Sequence, residues 1–218
     1  MKNIILTDAM DVLFCGFTDL ETLLSKNSGI SAAQLKYRIH EKLDDLWALC
    51  RGEITETSFW QRFVYGVVWK SDDNKIIEPH MSDFLQVFRD NMRRSVPGTF
   101  ELYQMVMQEH GVRLFLASDH FKEVVPQLIS WHPEVFRTIP ESNRFWSCDI
   151  GLVKRDPDFF PYVLNVMEKS FGIDRENIVF VDDSQVNVEV ARRNGISAIH
   201  FKSPEQLNAE LWDYNLSV

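Results

Sequence analysis

The sequence predicts an α/β protein: a doubly wound parallel sheet with a helical cap inserted after its first strand. Three observations carry that expectation. Short apolar runs at residues 4–7, 112–117 and 178–181 each end at a polar residue, Asp8, Ser118 and Asp182, as strands buried on both faces do. Segments of helical period, 100–110, 158–171 and 187–194, alternate with the later runs, and such alternation argues for a parallel sheet covered on both sides. Between residues 17 and 94 the alternation stops.

Taken in order, residues 4–7 form the first strand. The interrupting region then shows a helical stripe over 31–49, through Ala32, Leu35, Ile39, Leu43, Leu46 and Trp47, starting from Ser31 as an N-cap. A second stripe covers 55–69 and opens with Thr55-Glu-Thr-Ser; a third covers 81–92. With no apolar strand run among them, the insertion is expected to be all helical, its aromatic stripe of Trp47, Phe59, Trp60 and Phe63 forming its core. Ser95-Val-Pro-Gly reads as the hinge back to the sheet. Gly111, Gly172 and Gly195 each follow a helical segment where a C-terminal cap belongs. The domains are thus expected at 1–16 and 95–218 for the core and 17–94 for the cap.

Composition narrows the function classes. A formal charge of −9 disfavours nonspecific binding to nucleic acid or to an anionic membrane, so a small anionic substrate would need a local cation. Cys15, Cys50 and Cys148 lie far apart without CxxC spacing, which indicates neither a zinc site nor a disulfide framework. The first apolar run is too short for a signal peptide, and no stretch approaches about 18 apolar residues. A cytoplasmic protein is expected. Trp131-His132-Pro and Arg144-Phe-Trp read as packing and loop residues.

In a doubly wound sheet the polar residues ending the strands converge beyond the carboxyl edge. Asp8, Ser118, Lys154 and the pair Asp182-Asp183 are the candidates. Singly, each has a plainer explanation as a turn, cap or solvated residue. Together, over nearly the whole chain, the sequence resembles the haloacid dehalogenase (HAD) superfamily. The resemblance runs through Ile4-Ile-Leu-Thr-Asp-Ala-Met-Asp-Val-Leu, Leu114-Phe-Leu-Ala-Ser, Gly151-Leu-Val-Lys-Arg-Asp-Pro and Ile178-Val-Phe-Val-Asp-Asp-Ser-Gln-Val-Asn. Arg155 replaces a proline of the family text. The stretch Arg51-Gly-Glu-Ile-Thr-Glu-Thr-Ser-Phe-Trp is similar to cap helices of sugar-phosphate phosphatases and of the phosphatase domain of soluble epoxide hydrolases.

The resemblance implies a magnesium-dependent phosphatase that acts on a small phosphorylated metabolite, with Asp8 as the nucleophile that becomes phosphorylated. It assigns the metal to Asp8, the main-chain carbonyl of Met10 and Asp183, with Asp182 acting through a water. Lys154 and Ser118 are assigned to the phosphoryl group, and Asn187 to positioning backbone. The chemistry agrees, because a carboxylate attacks a phosphate dianion only where cations offset their shared negative charge.

One departure stands out. The family's general acid is an aspartate two residues after the nucleophile, and that place is Met10 here. Asp11 lies one residue later, where an extended chain turns its side chain to the opposite face. His120 is a further possible proton source, more simply read as a loop histidine. Two other readings remain open: a metal-independent 2-haloacid dehalogenase, whose opening Asp8-Ala-Met-Asp-Val-Leu-Phe also resembles, and a non-catalytic binding module. The Asp182-Asp183 pair argues against the dehalogenase, since a metal-free site gains nothing from two carboxylates beside an anionic nucleophile.

Overall fold

The computed structural model of the chain describes residues 2–18 and 20–218. Strand β1 (Ile4–Thr7) leads into a helical layer made of α1 (Leu20–Ser28), α2 (Ala32–Glu41), α3 (Leu43–Cys50) and α4 (Glu56–Val64). There follow a ribbon of β2 (Trp69–Lys70) and β3 (Ile76–Ile77), then α5 (Met81–Met92). The rest of the chain alternates: α6 (Thr99–His110), β4 (Arg113–Ser118), α7 (Val125–Trp131), α8 (Pro133–Thr138), β5 (Arg144–Trp146) and α9 (Ser147–Ile150) come first. They are succeeded by α10 (Phe159–Phe171), β6 (Ile178–Asp182), α11 (Gln185–Arg193), β7 (Ser197–His200) and α12 (Pro204–Leu211).

The main sheet has the order β5-β4-β1-β6-β7, every pairing parallel. With β1 in the middle, Ile4 aligns with Arg113 on one side and Ile178 on the other. Alternate residues of β1 therefore enter two different cores. Ile5 joins the one shared with the helical layer, and Ile4 and Leu6 join the one under α10 and α11. Because the strands on both sides of β1 run in its direction, their carboxyl ends bring Asp8, Ser118 and Asp182 to one edge.

Two expectations about the inserted region change. It is not all helical: residues expected to end the second stripe form the β2–β3 ribbon, in which Trp69 faces Ile77. The helix stops at Val64, Tyr65 is already extended, and the buried Trp69 indole donates to the Val64 carbonyl at 2.6 Å. A run of three apolar residues, 67–69, is too short for periodicity to separate a strand from a helix end. The 31–49 stripe is likewise two helices, α2 and α3, joined at Lys42.

The chain leaves and re-enters the sheet layer through two paired segments. Cys15 N donates to the Arg94 carbonyl at 2.8 Å, and Val96 N to the Leu13 carbonyl at 2.9 Å. The Ser95-Val-Pro-Gly stretch thus lies hydrogen-bonded to the loop that follows Asp8.

Candidate active site

Asp8 is the first residue beyond β1, and its N–H extends the ladder by donating to the Val181 carbonyl at 2.8 Å. The Thr7 hydroxyl donates to the Asp8 carbonyl at 2.9 Å, which leaves the Tyr103 hydroxyl, 3.0 Å away, to donate to Thr7. Both side chains are fully buried, so the backbone at Asp8 is fixed from below. Of the Asp8 carboxylate, Oδ1 accepts from Ala9 N at 2.7 Å and Oδ2 receives the Lys154 ammonium at 2.6 Å.

Lys154 is the pivot. Its ammonium, 1% exposed, touches Asp8 and Asp182 at 2.6 Å each. Its backbone N–H donates to Asp119 at 2.9 Å. Burial works against the charged lysine, but the carboxylates of Asp182, Asp8 and Asp119 outweigh it and hold the ammonium above its ordinary pKa. Asp182 is saturated: Oδ2 meets Lys154, and Oδ1 accepts from Ser184 N at 2.8 Å and from Asn187 Nδ2 at 3.0 Å.

Carboxylate oxygens of Asp8, Asp182 and Asp183 lie within 4.8 Å of one another, close to the spread that ligands of one magnesium ion span at about 2.1 Å each. Burial, then repulsion from Asp8, pushes the Asp183 carboxyl up, and burial with Asp8 and Asp183 does the same to Asp182. One ammonium does not balance these acids, which is the electrostatic demand of a divalent cation site. Asp183, whose carboxylate makes no hydrogen bond among the described residues, is free to bind such an ion directly. Asp182, with both oxygens engaged, suits an indirect role. The residues present therefore fit magnesium.

Ser118 closes β4 beside β1, fully buried, and its hydroxyl has no partner among the described residues. An orphaned donor at the carboxyl edge is what an incoming oxyanion would satisfy. His120 is also buried. Its Nε2 lies 3.2 Å from the Met10 sulfur, its Nδ1 has no partner, and burial pushes its pKa down to about 4. Burial thus disfavours the imidazolium form that a proton donor near neutral pH would need.

Asp11 is likewise engaged elsewhere. It sits at φ +56°, and its carboxylate accepts from Gly16 N at 2.8 Å and from Phe17 N and Thr18 N at 2.9 Å. It ties together the loop that starts the helical layer. A Cβ on Gly16 would stand 2.9 Å from Met10 Cβ, so only glycine allows this loop to close on itself.

Three functional residues escaped the sequence. Asp119, its carboxyl pushed up to about 6 by burial, holds the backbone of Lys154; its place beside Ser118 at a strand end was the available signal. Arg155 stacks its guanidinium 3.7 Å above the Trp47 ring. Trp47, expected in the cap core, packs against that core and also lines the cavity over Asp8. Asp156 makes a bidentate pair with Arg51 at the end of α3, at 2.6 and 2.7 Å. No periodicity announces these contacts. His132, read as packing, does pack: it stacks on Phe14 at 3.9 Å and bonds the Met92 carbonyl.

No family model matches the chain, and no curated protein matches its sequence. Solved structures do. A predicted HAD-like family hydrolase from Porphyromonas gingivalis superposes with a TM-score of 0.68 at 19% identity over 100% of both chains. A HAD family enzyme from Bacteroides thetaiotaomicron, in complex with magnesium and inorganic phosphate, gives 0.62 at 17% identity over 93% of this chain and 96% of that one. The L-2-haloacid dehalogenase from Xanthobacter autotrophicus, with chloropropionic acid covalently bound, gives 0.59 at 16% identity, covering 100% and 85%. With a parallel five-stranded sheet, an insertion after its first strand and an acidic carboxyl edge, the chain has the fold of the HAD superfamily of hydrolases.

Proposed function

We propose that this protein is a cytoplasmic, magnesium-dependent phosphatase that hydrolyses a small phosphorylated metabolite through a phosphoryl intermediate on Asp8. The observation that carries the reading is the buried cluster in which one ammonium, Lys154, joins Asp8 to Asp182 while Asp183 stands within ligand reach of both. Magnesium would be held by Asp8, Asp183 and the Met10 carbonyl, with Asp182 behind a water, and it would supply the positive charge that lets a carboxylate approach a phosphate.

The chain's own groups do the rest. Lys154 orients the Asp8 carboxylate and offsets charge on the phosphoryl oxygens, and Ser118 donates to one of them. An Asp8 oxygen bonds to phosphorus as the ester P–O bond breaks; water then cleaves the acyl phosphate. With Met10 in the usual place of the acid, Asp11 committed to three backbone donors and His120 uncharged, the leaving oxygen takes its proton from water.

The acidic pair separates this reading from the dehalogenase fold relative. Purified protein should hydrolyse acetyl or p-nitrophenyl phosphate only with magnesium, EDTA should abolish turnover, and Asp8→Asn should be inactive. Undiminished hydrolysis after complete metal removal sinks the assignment. Metal-independent halide release from 2-chloropropionate would replace it with dehalogenation.

A further inference from the structure

Resting on the phosphatase reading of this site, we infer that the leaving group is small, apolar and planar, an aryl or arylmethyl alcohol held against Trp47, and not a polyol. The cavity over Asp8 measures about 230 Å³. A cavity of about 150 Å³ accepts benzene, so this one has room for one ring in addition to a phosphoryl group.

The residues that the inserted region contributes to the cavity are Phe17, Ile39, Leu43, Leu46, Trp47 and Cys50. These side chains bring no hydroxyl, carboxamide or charge, and the Trp47 indole N–H is their one ring donor. Among the polar lining groups Lys154 is committed to Asp8 and Asp182, Asp11 to three backbone N–H groups and Asp119 to the Lys154 N–H; Asp183 belongs to the metal in the phosphatase reading and Arg155 lies against Trp47, which leaves the Ser184 hydroxyl as the uncommitted neutral donor. Hydroxyls of a sugar or glycerol chain would be stripped of water against hydrocarbon, whereas a ring would gain contact.

The Trp47 indole is held for that contact. Arg155, which forms no ion pair among the described residues, covers one face of it at 3.7 Å and supports it from the loop that carries Lys154. Arg155 is a positioning residue in this arrangement. For an aryl leaving group the missing acid points the same way independently, because an aryl oxide departs without protonation while an arylmethyl or sugar alkoxide does not. The P–O electron pair leaves with the aryl oxygen, which is protonated by water.

Shape must be tested apart from leaving-group acidity, so benzyl phosphate is compared with glycerol 3-phosphate, whose alcohols have similar basicity. With magnesium present, kcat/KM should favour benzyl phosphate by about ten-fold or more. Trp47→Ala should shrink that ratio several-fold and Trp47→Phe should keep most of it. Arg155→Ala should lower the ratio less than Trp47→Ala. Should Trp47→Ala fail to fold, competitive inhibition of the wild type by benzylphosphonate against a glycerol-type phosphonate reads the same pocket; equal inhibition overturns the inference. A preference for glycerol 3-phosphate, or a ratio unmoved in a folded Trp47→Ala, overturns it while acetyl phosphate turnover upholds the phosphatase reading. Absence of acetyl phosphate turnover overturns both.

Discussion

Asp11 illustrates how a single side chain can be spoken for before any substrate arrives. Its two oxygens accept three backbone N–H groups from Gly16, Phe17 and Thr18. Asp11→Asn removes the charge but tolerates the positive φ, so we expect a loss of about 1–2 kcal/mol in stability and an unchanged ratio of alkyl to aryl phosphate turnover. A selective loss of alkyl ester hydrolysis would make Asp11 the acid after all. Asp183 gives a second residue-scale test with a sign. Burial and Asp8 raise its pKa in the fold, so as pH rises the unfolded chain loses its proton first and the metal-free protein is destabilised from about pH 4 upward. Asp183→Asn lifts that penalty. Its metal-free melting temperature at pH 8 should exceed the wild type's by roughly 2–8 °C, for about 1–2 kcal/mol, with the gap closing toward pH 4. Identical melting curves at pH 8 would contradict the repulsion argument.

Among elements, the loop between α9 and α10 joins the two halves of the site. Lys154 reaches down to Asp8 and Asp182, Arg155 stacks on Trp47 of α3, and Asp156 pairs with Arg51 while accepting from Val153 N at 2.9 Å. Both partners of the Arg51–Asp156 pair are about three-quarters buried or more, so it is less screened than a surface ion pair. Arg51 draws the Asp156 carboxyl below its ordinary pKa; the pair's contribution is present above the unfolded carboxylate's pKa and is lost as pH falls further. Asp156→Ala should cost about 1.5–3 kcal/mol, and because the loop carries Lys154, kcat should fall together with stability. Unaltered kcat in a destabilised Asp156→Ala would show that α3 and the lysine loop are mechanically separate.

For the whole molecule, metal binding and stability are linked. Three carboxylates within 4.8 Å fold against their own repulsion, so an ion that binds only the native state should raise the melting temperature. At a hundred times its Kd the gain is about 2.7 kcal/mol, roughly 5–11 °C for a chain of this size. The increase should be larger at pH 8 than at pH 5, where the cluster already carries protons, and smaller in Asp183→Asn. Differential scanning calorimetry with and without magnesium measures it. An equal magnesium effect in wild type and Asp183→Asn would move the binding site elsewhere.

What the sequence by itself determined is the sheet and the residues at its edge. Strands buried on both faces must be apolar throughout and must end where the chain meets water, so the runs before Asp8, Ser118 and Asp182 are visible without a structure, and parallel topology forces their ends together. Lys154 was legible through motif spacing. The ribbon at Trp69 was not, because three apolar residues carry no period. Nor were the Arg155–Trp47 stack, the Asp119 bond to Lys154, the commitment of Asp11 or the neutral state of His120. Each depends on which group lies across space within about 3–6 Å and on how much water is excluded there, quantities set only when the inserted helices pack over the carboxyl edge of the sheet. Tertiary structure therefore decided which carboxylates are engaged by neighbouring groups and which side chains line the cavity over Asp8.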